Sequence, residues 1–170
     1  MENKRLKKLY YLRPLWALPI GFFYWLFWFF AYHFDYRSRA NYHTNKTNWD
    51  CCNTITALNN YFKGWKYKWD GPSGVLDHDN SDLEFFCSGG DCDDVANLVY
   101  KRLKILNFQP ELVMIWGGEN NYHYDVFFRN NCSCFLFNYG QNIIGRELDG
   151  CIDNLRNCYN WGKIEYVRVK

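Results

Sequence analysis

One cysteine stands among glycines and aspartates in the stretch "FCSGGDCDDVANLVYKRL", residues 86–103. Cys92 follows Gly89 and Gly90 and lacks the second cysteine two residues away that a structural zinc ligand usually has. Its polar neighbours also differ from those of a core cysteine. A thiol at a helix start suits nucleophilic catalysis, because the positive end of the helix dipole favours the thiolate and the glycines leave the sulfur open to a substrate.

The residues after Cys92 predict the element that positions it. Their apolar side chains recur at helical spacing, so we expect a helix that begins at Asp91. Ser81 and Glu84 have the spacing of a capping box, which predicts a short preceding helix through Phe86. Cys92 is therefore expected at the first position of the buried face of the second helix, where that helix meets its packing partner.

The sequence from 122 to 139 predicts a β-hairpin. A two-residue turn at Asn130–Asn131 sets His123 directly opposite Asn138, with both side chains on one face. The imidazole can then accept the thiol proton of Cys92, and the asparagine amide can hold the ring in the required tautomer. The pattern predicts a Cys–His–Asn arrangement.

Strands and helices around this hairpin indicate an α+β fold, in which the helix of Cys92 packs on an antiparallel sheet. Strands are predicted at 111–116, 122–129, 132–139 and 163–169, and helices at 50–63 and 147–160.

Three aspartates next to the thiol have two interpretations. Negative charge on Asp91, Asp93 and Asp94 opposes formation of the Cys92 thiolate, so that a protonated histidine would have to offset it. Alternatively, their side chains turn away from the sulfur and stabilise the helix start.

These motifs together, "SDLEFFCSGGDCDDVANLVYKRL", "HYDVFF" and "FNYGQ", resemble the bacterial transglutaminase-like cysteine peptidases, which are relatives of transglutaminases and, more distantly, of papain-like enzymes. The upstream segment "LNNYFKGWKYKWD" is similar to the lead-in of that family. The resemblance covers roughly residues 50–140. It implies a papain-like core whose catalytic residues are Cys92, His123 and Asn138, with Gly90 and Asp91 before the nucleophile.

The chain departs from this family pattern in its third catalytic member. Asn138 stands where the closer relatives more often have aspartate, although asparagine serves in papain-like enzymes. Asp125 falls on the same face as His123 and is a rival for the orienting role. The backbone N–H of Cys92 is a candidate oxyanion donor by chemical logic, and Trp69 is a further candidate.

The resemblance implies acyl transfer through a thioester at Cys92, with a peptide or protein as substrate and neither cofactor nor metal. Water as acceptor gives peptide or amide hydrolysis, and an amine gives cross-linking. One alternative is a catalytically inactive, membrane-anchored binding module on the same fold. Another is a disulfide-stabilised ectodomain in which Cys92 is bridged.

The run from Pro14 to Phe34 contains no Asp, Glu, Lys or Arg. Because about 20 apolar residues cross a bilayer as a helix, it predicts a single transmembrane helix. More basic residues precede the run than follow it, so we expect a cytoplasmic N-terminus and an extracytoplasmic domain. A cleaved signal peptide, a buried helix and an interfacial hairpin are the alternatives.

Composition sets the remaining expectations. A net charge of +2 is too balanced for a nucleic-acid-binding protein, so nucleic acid is not expected as a partner. Outside the cytoplasm, some of the eight cysteines could pair, in bridges that the spacing does not assign. The expected organisation is a basic N-terminus (1–13), a transmembrane helix (14–34), a linker (35–49) and a transglutaminase-like domain (50–170).

Overall fold

A computed structural model describes residues 17–65, 68, 81–117, 122–131, 133–138, 140–159 and 161–169 of the chain. These residues belong to two compact units, which divide between Asp94 and Val95. We call them the helical unit and the sheet unit, and each is described by itself.

The helical unit is built from four helices and the first residues of a fifth. The helices are α1 (Ala17–Phe34), α2 (Tyr36–Asp50), α3 (Ile55–Lys63), α4 (Asp82–Ser88) and α5 (Cys92–Ile105). An aromatic cluster forms its centre, in which Trp49 contacts Phe62 and Phe86, and the ring of Trp65 stacks on that of Phe85 at 4.5 Å. Burial of these rings is the main stabilising contribution in the unit.

Residues 36–50 form helix α2, although their polar composition predicts a linker. The Asp35 carboxylate caps this helix by accepting hydrogen bonds from the backbone of Arg37 and Ser38. The Asn45 amide donates to the backbone oxygen of Phe86 in α4 at 2.8 Å. These contacts use the polar side chains of the segment to fix it against the unit, which a reading of composition alone does not reveal.

The predicted transmembrane helix is wrong. Of the helices that the structure describes, none combines the length and the apolarity needed to cross a membrane. Helix α1 has 18 residues, about 27 Å at 1.5 Å per residue, and its Trp, Tyr and His side chains lower its mean hydropathy. It contacts α2 and α4. The predicted single-pass anchor is therefore not supported, and neither is the topology inferred from it, a cytoplasmic N-terminus and an extracytoplasmic domain.

The sheet unit contains a five-stranded antiparallel sheet, which confirms the α+β class. Its elements are β1 (Glu111–Trp116), β2 (Tyr122–Asn130), β3 (Ser133–Asn138), β4 (Gln141–Gly145), α6 (Leu148–Tyr159) and β5 (Glu165–Arg168). The strand order is β4-β3-β2-β1-β5. The final strand therefore returns to pair with β1, and β4 is a strand that the periodicity analysis did not predict.

The hairpin turn lies one residue further along the chain than predicted. Asn130 pairs with Ser133, so the turn begins at Asn131. Asn131 takes a positive φ of 55°, which asparagine tolerates better than most residues.

This shift changes which residues face each other across the hairpin. Val126 pairs with Phe137, and extending that register by one residue sets Asp125, rather than His123, opposite Asn138. The predicted direct pairing of His123 with Asn138 is wrong, and the two residues are diagonal neighbours. Moving a two-residue turn by one position shifts each pairing by two residues, so all three side chains keep the same face.

The face that carries His123 and Asp125 also carries a hydrophobic core, and α6 covers it. The side chains of this core are Val113, Ile115, Phe127, Cys134, Leu136, Ile143, Leu148, Cys151, Ile152 and Leu155. On the opposite face, the ring of Phe108, which follows α5, contacts that of Phe128 at 5.6 Å. Helix α6 therefore packs on the His123 face, where the sequence predicts the helix of Cys92.

Candidate active site

Three polar side chains converge at one end of the sheet, where β2 begins and β3 ends. His123 Nε2 lies 3.0 Å from Asp125 Oδ1 and 3.0 Å from Asn138 Nδ2. The Asn138 amide nitrogen also donates to the two Asp125 oxygens, at 3.3 and 3.2 Å. Asp125 and Asn138 are buried, while 15% of the His123 side chain is exposed. The imidazole is thus held from within the protein and accessible from outside.

The chemistry of these groups fixes the protons. An ionised carboxylate only accepts, so the ring nitrogen that faces Asp125 donates to it as Nε2–H. The two hydrogens of the Asn138 amide then point at the Asp125 oxygens. The neutral ring keeps its lone pair on Nδ1, which becomes the basic nitrogen of His123. A proton accepted at Nδ1 creates an imidazolium that the carboxylate stabilises.

Tyr159, at the end of α6, belongs to the same network although the sequence analysis did not identify it. Its hydroxyl donates to Asn138 Oδ1 at 2.7 Å. Burial raises the pKa of Tyr159, and the charge of Asp125 raises it further, so the phenol stays a proton donor. This bond holds the amide oxygen of Asn138 away from Asp125 and its nitrogen toward it. Tyr159 lies within the predicted helix 147–160, but spacing alone does not show that its hydroxyl reaches β3.

Cys92 is the first residue of α5 and lies in the helical unit, so the predicted helix start is confirmed to within one residue. Its side chain is buried, which differs from the expectation that the glycines leave the sulfur open to a substrate. The preceding Gly90 is required by space, because a Cβ there would lie 2.5 Å from Asp94 Oδ2 and 2.8 Å from a ring carbon of Phe85. Gly90 therefore has a packing role.

The three aspartates around Cys92 are all buried. The backbone N–H of Asp91 donates to Asp94 Oδ2 at 3.3 Å, and the N–H of Asp94 donates to Asp93 Oδ1 at 3.0 Å. These bonds satisfy amides at the helix start and support the capping interpretation. One carboxylate oxygen from each residue lies within 4.8 Å of the others, so these are the residues that could hold a cation. That the protein uses no metal and no cofactor stays a prediction.

The other candidate residues divide by location. Trp69, proposed as an oxyanion donor, lies outside the described residues. Cys87 and Cys151 carry free thiols. Burial raises the pKa of each to about 11, reinforced by the charge of Asp35 on Cys87 and of Cys134 on Cys151. Both thiols are therefore protonated and unreactive near neutral pH.

No protein-family model matches the chain, and no curated protein matches it. The resemblance to transglutaminase-like peptidases therefore depends on the motifs quoted from the sequence.

Proposed function

We propose that the protein is a cysteine acyl-transfer enzyme of the transglutaminase-like type, with Cys92 as nucleophile and His123 as base and acid. The observation that supports this best is the His123–Asp125–Asn138 network. It presents a part-exposed imidazole whose inner N–H donates to a buried carboxylate, and that carboxylate also accepts from a buried amide. A general base needs such a fixed tautomer, and solvent-exposed structural histidines rarely have one.

The proposed reaction has two halves. In the first, His123 takes the thiol proton, Cys92 sulfur attacks the carbonyl carbon of a peptide or side-chain amide, and the leaving amine departs with that proton. This step forms a thioester. In the second, water or an amine attacks the thioester carbonyl, gives a proton to His123, and releases the acid or the new amide while the thiol is restored. The backbone N–H of Cys92 is the proposed oxyanion donor.

Within this proposal, Asp125 has the orienting role that the family pattern gives to the residue at position 138. Its carboxylate contacts the imidazole and carries the negative charge that stabilises an imidazolium. Asn138 holds that carboxylate through its amide nitrogen. Two residues thus take the place of the aspartate that is more frequent in the family: Asp125 on β2 supplies the charge, and Asn138 on β3 supplies the amide.

The test is turnover of a small activated acyl donor, the p-nitrophenyl ester of N-acetylglycine, by the full chain. Cys92→Ser removes the better nucleophile and His123→Ala removes the base, so each should abolish the released nitrophenolate above background. Their effects should not add in the double variant, because the two residues act as one unit. Mass spectrometry of the quenched protein should show the acyl group on the peptide that contains Cys92.

A non-catalytic binding module on the same fold is the second candidate. The buried carboxylates of Asp91, Asp93 and Asp94 favour it, since negative charge beside a thiol disfavours the thiolate. If Cys92→Ser and His123→Ala leave ester turnover and acyl labelling unchanged, this second candidate replaces the first.

A further inference from the structure

Helix α1 presents a row of exposed phenylalanines. They recur at intervals of four, three and four residues, which places them on one face of a helix. Their side chains are largely exposed to solvent: Phe23 65%, Phe27 62%, Phe30 50% and Phe34 83%. We call these four residues the phenylalanine stripe. Soluble proteins rarely expose contiguous apolar patches of this kind without a binding partner.

Trp28 and Tyr32, which lie outside the stripe, contact other residues of the helical unit. The ammonium group of Lys68 lies 5.1 Å from the centre of the Trp28 ring. The guanidinium of Arg39 lies 5.9 Å from that of Tyr32, and its Nε donates to the Tyr32 backbone oxygen at 3.1 Å. Because α1 contacts the protein through Trp28 and Tyr32 while the phenylalanine stripe is exposed, the stripe can lie along an apolar surface.

We infer that the phenylalanine stripe docks on the surface of a membrane that contains anionic lipid, with α1 parallel to the bilayer plane. Positions 1–13 of the chain, directly before α1, contain five basic residues and one acidic residue. Anionic headgroups attract such a segment, and apolar rings next to it enter the boundary between headgroups and acyl chains.

Charge also argues against a second copy of the chain as the occupant. Two helices that paired in parallel through their stripes would bring two basic N-terminal segments close together, where they repel each other. An anionic membrane surface instead attracts the basic segment and also covers the rings of the phenylalanine stripe. The docked helix does not cross the bilayer, because its packed face stays on the protein.

The test is co-sedimentation of the full chain with preformed vesicles. One set contains phosphatidylcholine alone, and the other contains phosphatidylcholine and phosphatidylserine in a ratio of roughly two to one. We expect binding to the mixed vesicles, weaker binding to the neutral ones, and weakening by salt. Phe27→Ser together with Phe30→Ser should lower the affinity for mixed vesicles roughly tenfold or more, since two exposed rings lose their burial in lipid.

The matched control is Ile105→Ser, which removes an equally exposed apolar side chain at the end of α5 and should leave vesicle binding unchanged. Thermal unfolding of the variants shows whether folding is intact, as expected for exposed positions. Undiminished binding by the double variant would overturn the inference. So would a dimer in sedimentation velocity that the double variant dissolves, without vesicle binding. Cleavage of the N-terminal segment by trypsin sealed inside the vesicles would also overturn it, because the helix would then cross.

Discussion

Asp125 Oδ1 lies 3.0 Å from Nε2 of His123, two residues earlier on the same strand. Residues two apart on a strand share a face, so β2 alone supplies both the imidazole and its negative partner. Asn138 on β3 supports this pair through the carboxylate, to which its amide nitrogen donates. The site is therefore organised around a histidine–aspartate pair, with the asparagine behind it.

Asp125 should control the tautomer of His123. In the native protein we expect the neutral ring to carry its proton on Nε2, observable in nitrogen-15 NMR of the imidazole. Asp125→Asn keeps the size but removes the charge and adds a competing donor, so the preference for the Nε2–H form should be lost. Ester turnover should fall roughly 100-fold or more, in line with the contribution of oriented general bases. A native ring in the Nδ1–H form would contradict the assignment.

Tyr159 should act as a positioning residue through Asn138. Tyr159→Phe removes the hydroxyl that holds the amide oxygen, so Asn138 is freer to rotate away from Asp125. We expect a loss of turnover of about tenfold, less than for Asp125→Asn, because the charge remains in place. The same NMR experiment should show a mixture of tautomers.

Tyr166→Phe is the matched control for this variant. Its hydroxyl bonds to Asp149 at a position outside the network. Equal effects of the two phenylalanine substitutions on turnover and tautomer would show that the Tyr159 hydroxyl has a general structural role.

Strands β1, β2, β3 and β5 and helices α3, α5 and α6 could be predicted from periodicity because each has a clear apolar pattern. Helix α2 could not, since its sequence is polar. Strand β4 could not, since "QNIIG" is short and lies between turn residues. The turn was placed one residue too early because residues 130 and 131 are both asparagine, and either suits a tight turn. The shared face of His123 and Asn138 survived this error, since two-residue turns shift the pairing in steps of two.

The N-terminal run and the third site residue illustrate what a pattern cannot show. A stretch without charges predicts a membrane span, but aromatic rings give the run less apolarity than its lack of charge suggests. The role of Asp125 depends on whether its carboxylate or the amide of Asn138 contacts the imidazole. The role of Tyr159 depends on how helix α6 packs on the sheet. Both depend on tertiary contacts that spacing along one element does not encode.

Stability should fall at alkaline pH because of two buried thiols. Cys87 and Cys151 have pKa values raised from 9.0 to about 11, so above pH 9 the unfolded chain loses their protons before the folded one does. Their contribution to the free energy of unfolding is complete below pH 9. It falls by about 2 kcal/mol for each thiol as the pH rises to 11. Urea unfolding at several pH values measures it. Cys151→Ala should flatten this decline, and Cys158→Ala, at an exposed position, should not.

Gly145 should tolerate no side chain. A Cβ there would lie 2.5 Å from the backbone nitrogen of Cys151 and 2.8 Å from the carbonyl carbon of Gly150, and backbone atoms cannot move aside cheaply. Gly145→Ala should lower the free energy of unfolding by about 2 kcal/mol. Gly162→Ala, where no atom comes within 4 Å of the added carbon, should change it by less than about 0.5 kcal/mol. Equal stabilities of the two variants would refute the close approach of β4 to α6.

The central proposal is that His123 activates the thiol of Cys92, and alkylation of Cys92 tests it most directly. Iodoacetamide is applied between pH 5 and 9 to the full chain with Cys51→Ser and Cys158→Ser, which remove two exposed thiols, and each cysteine is followed by peptide mass spectrometry. Cys87 and Cys151 are internal standards that should stay unlabelled at neutral pH. The account predicts that Cys92 reacts well below the pH at which an ordinary thiol does, and that His123→Ala moves this reaction upward by at least one pH unit, roughly. An identical pH profile with and without His123 would contradict it.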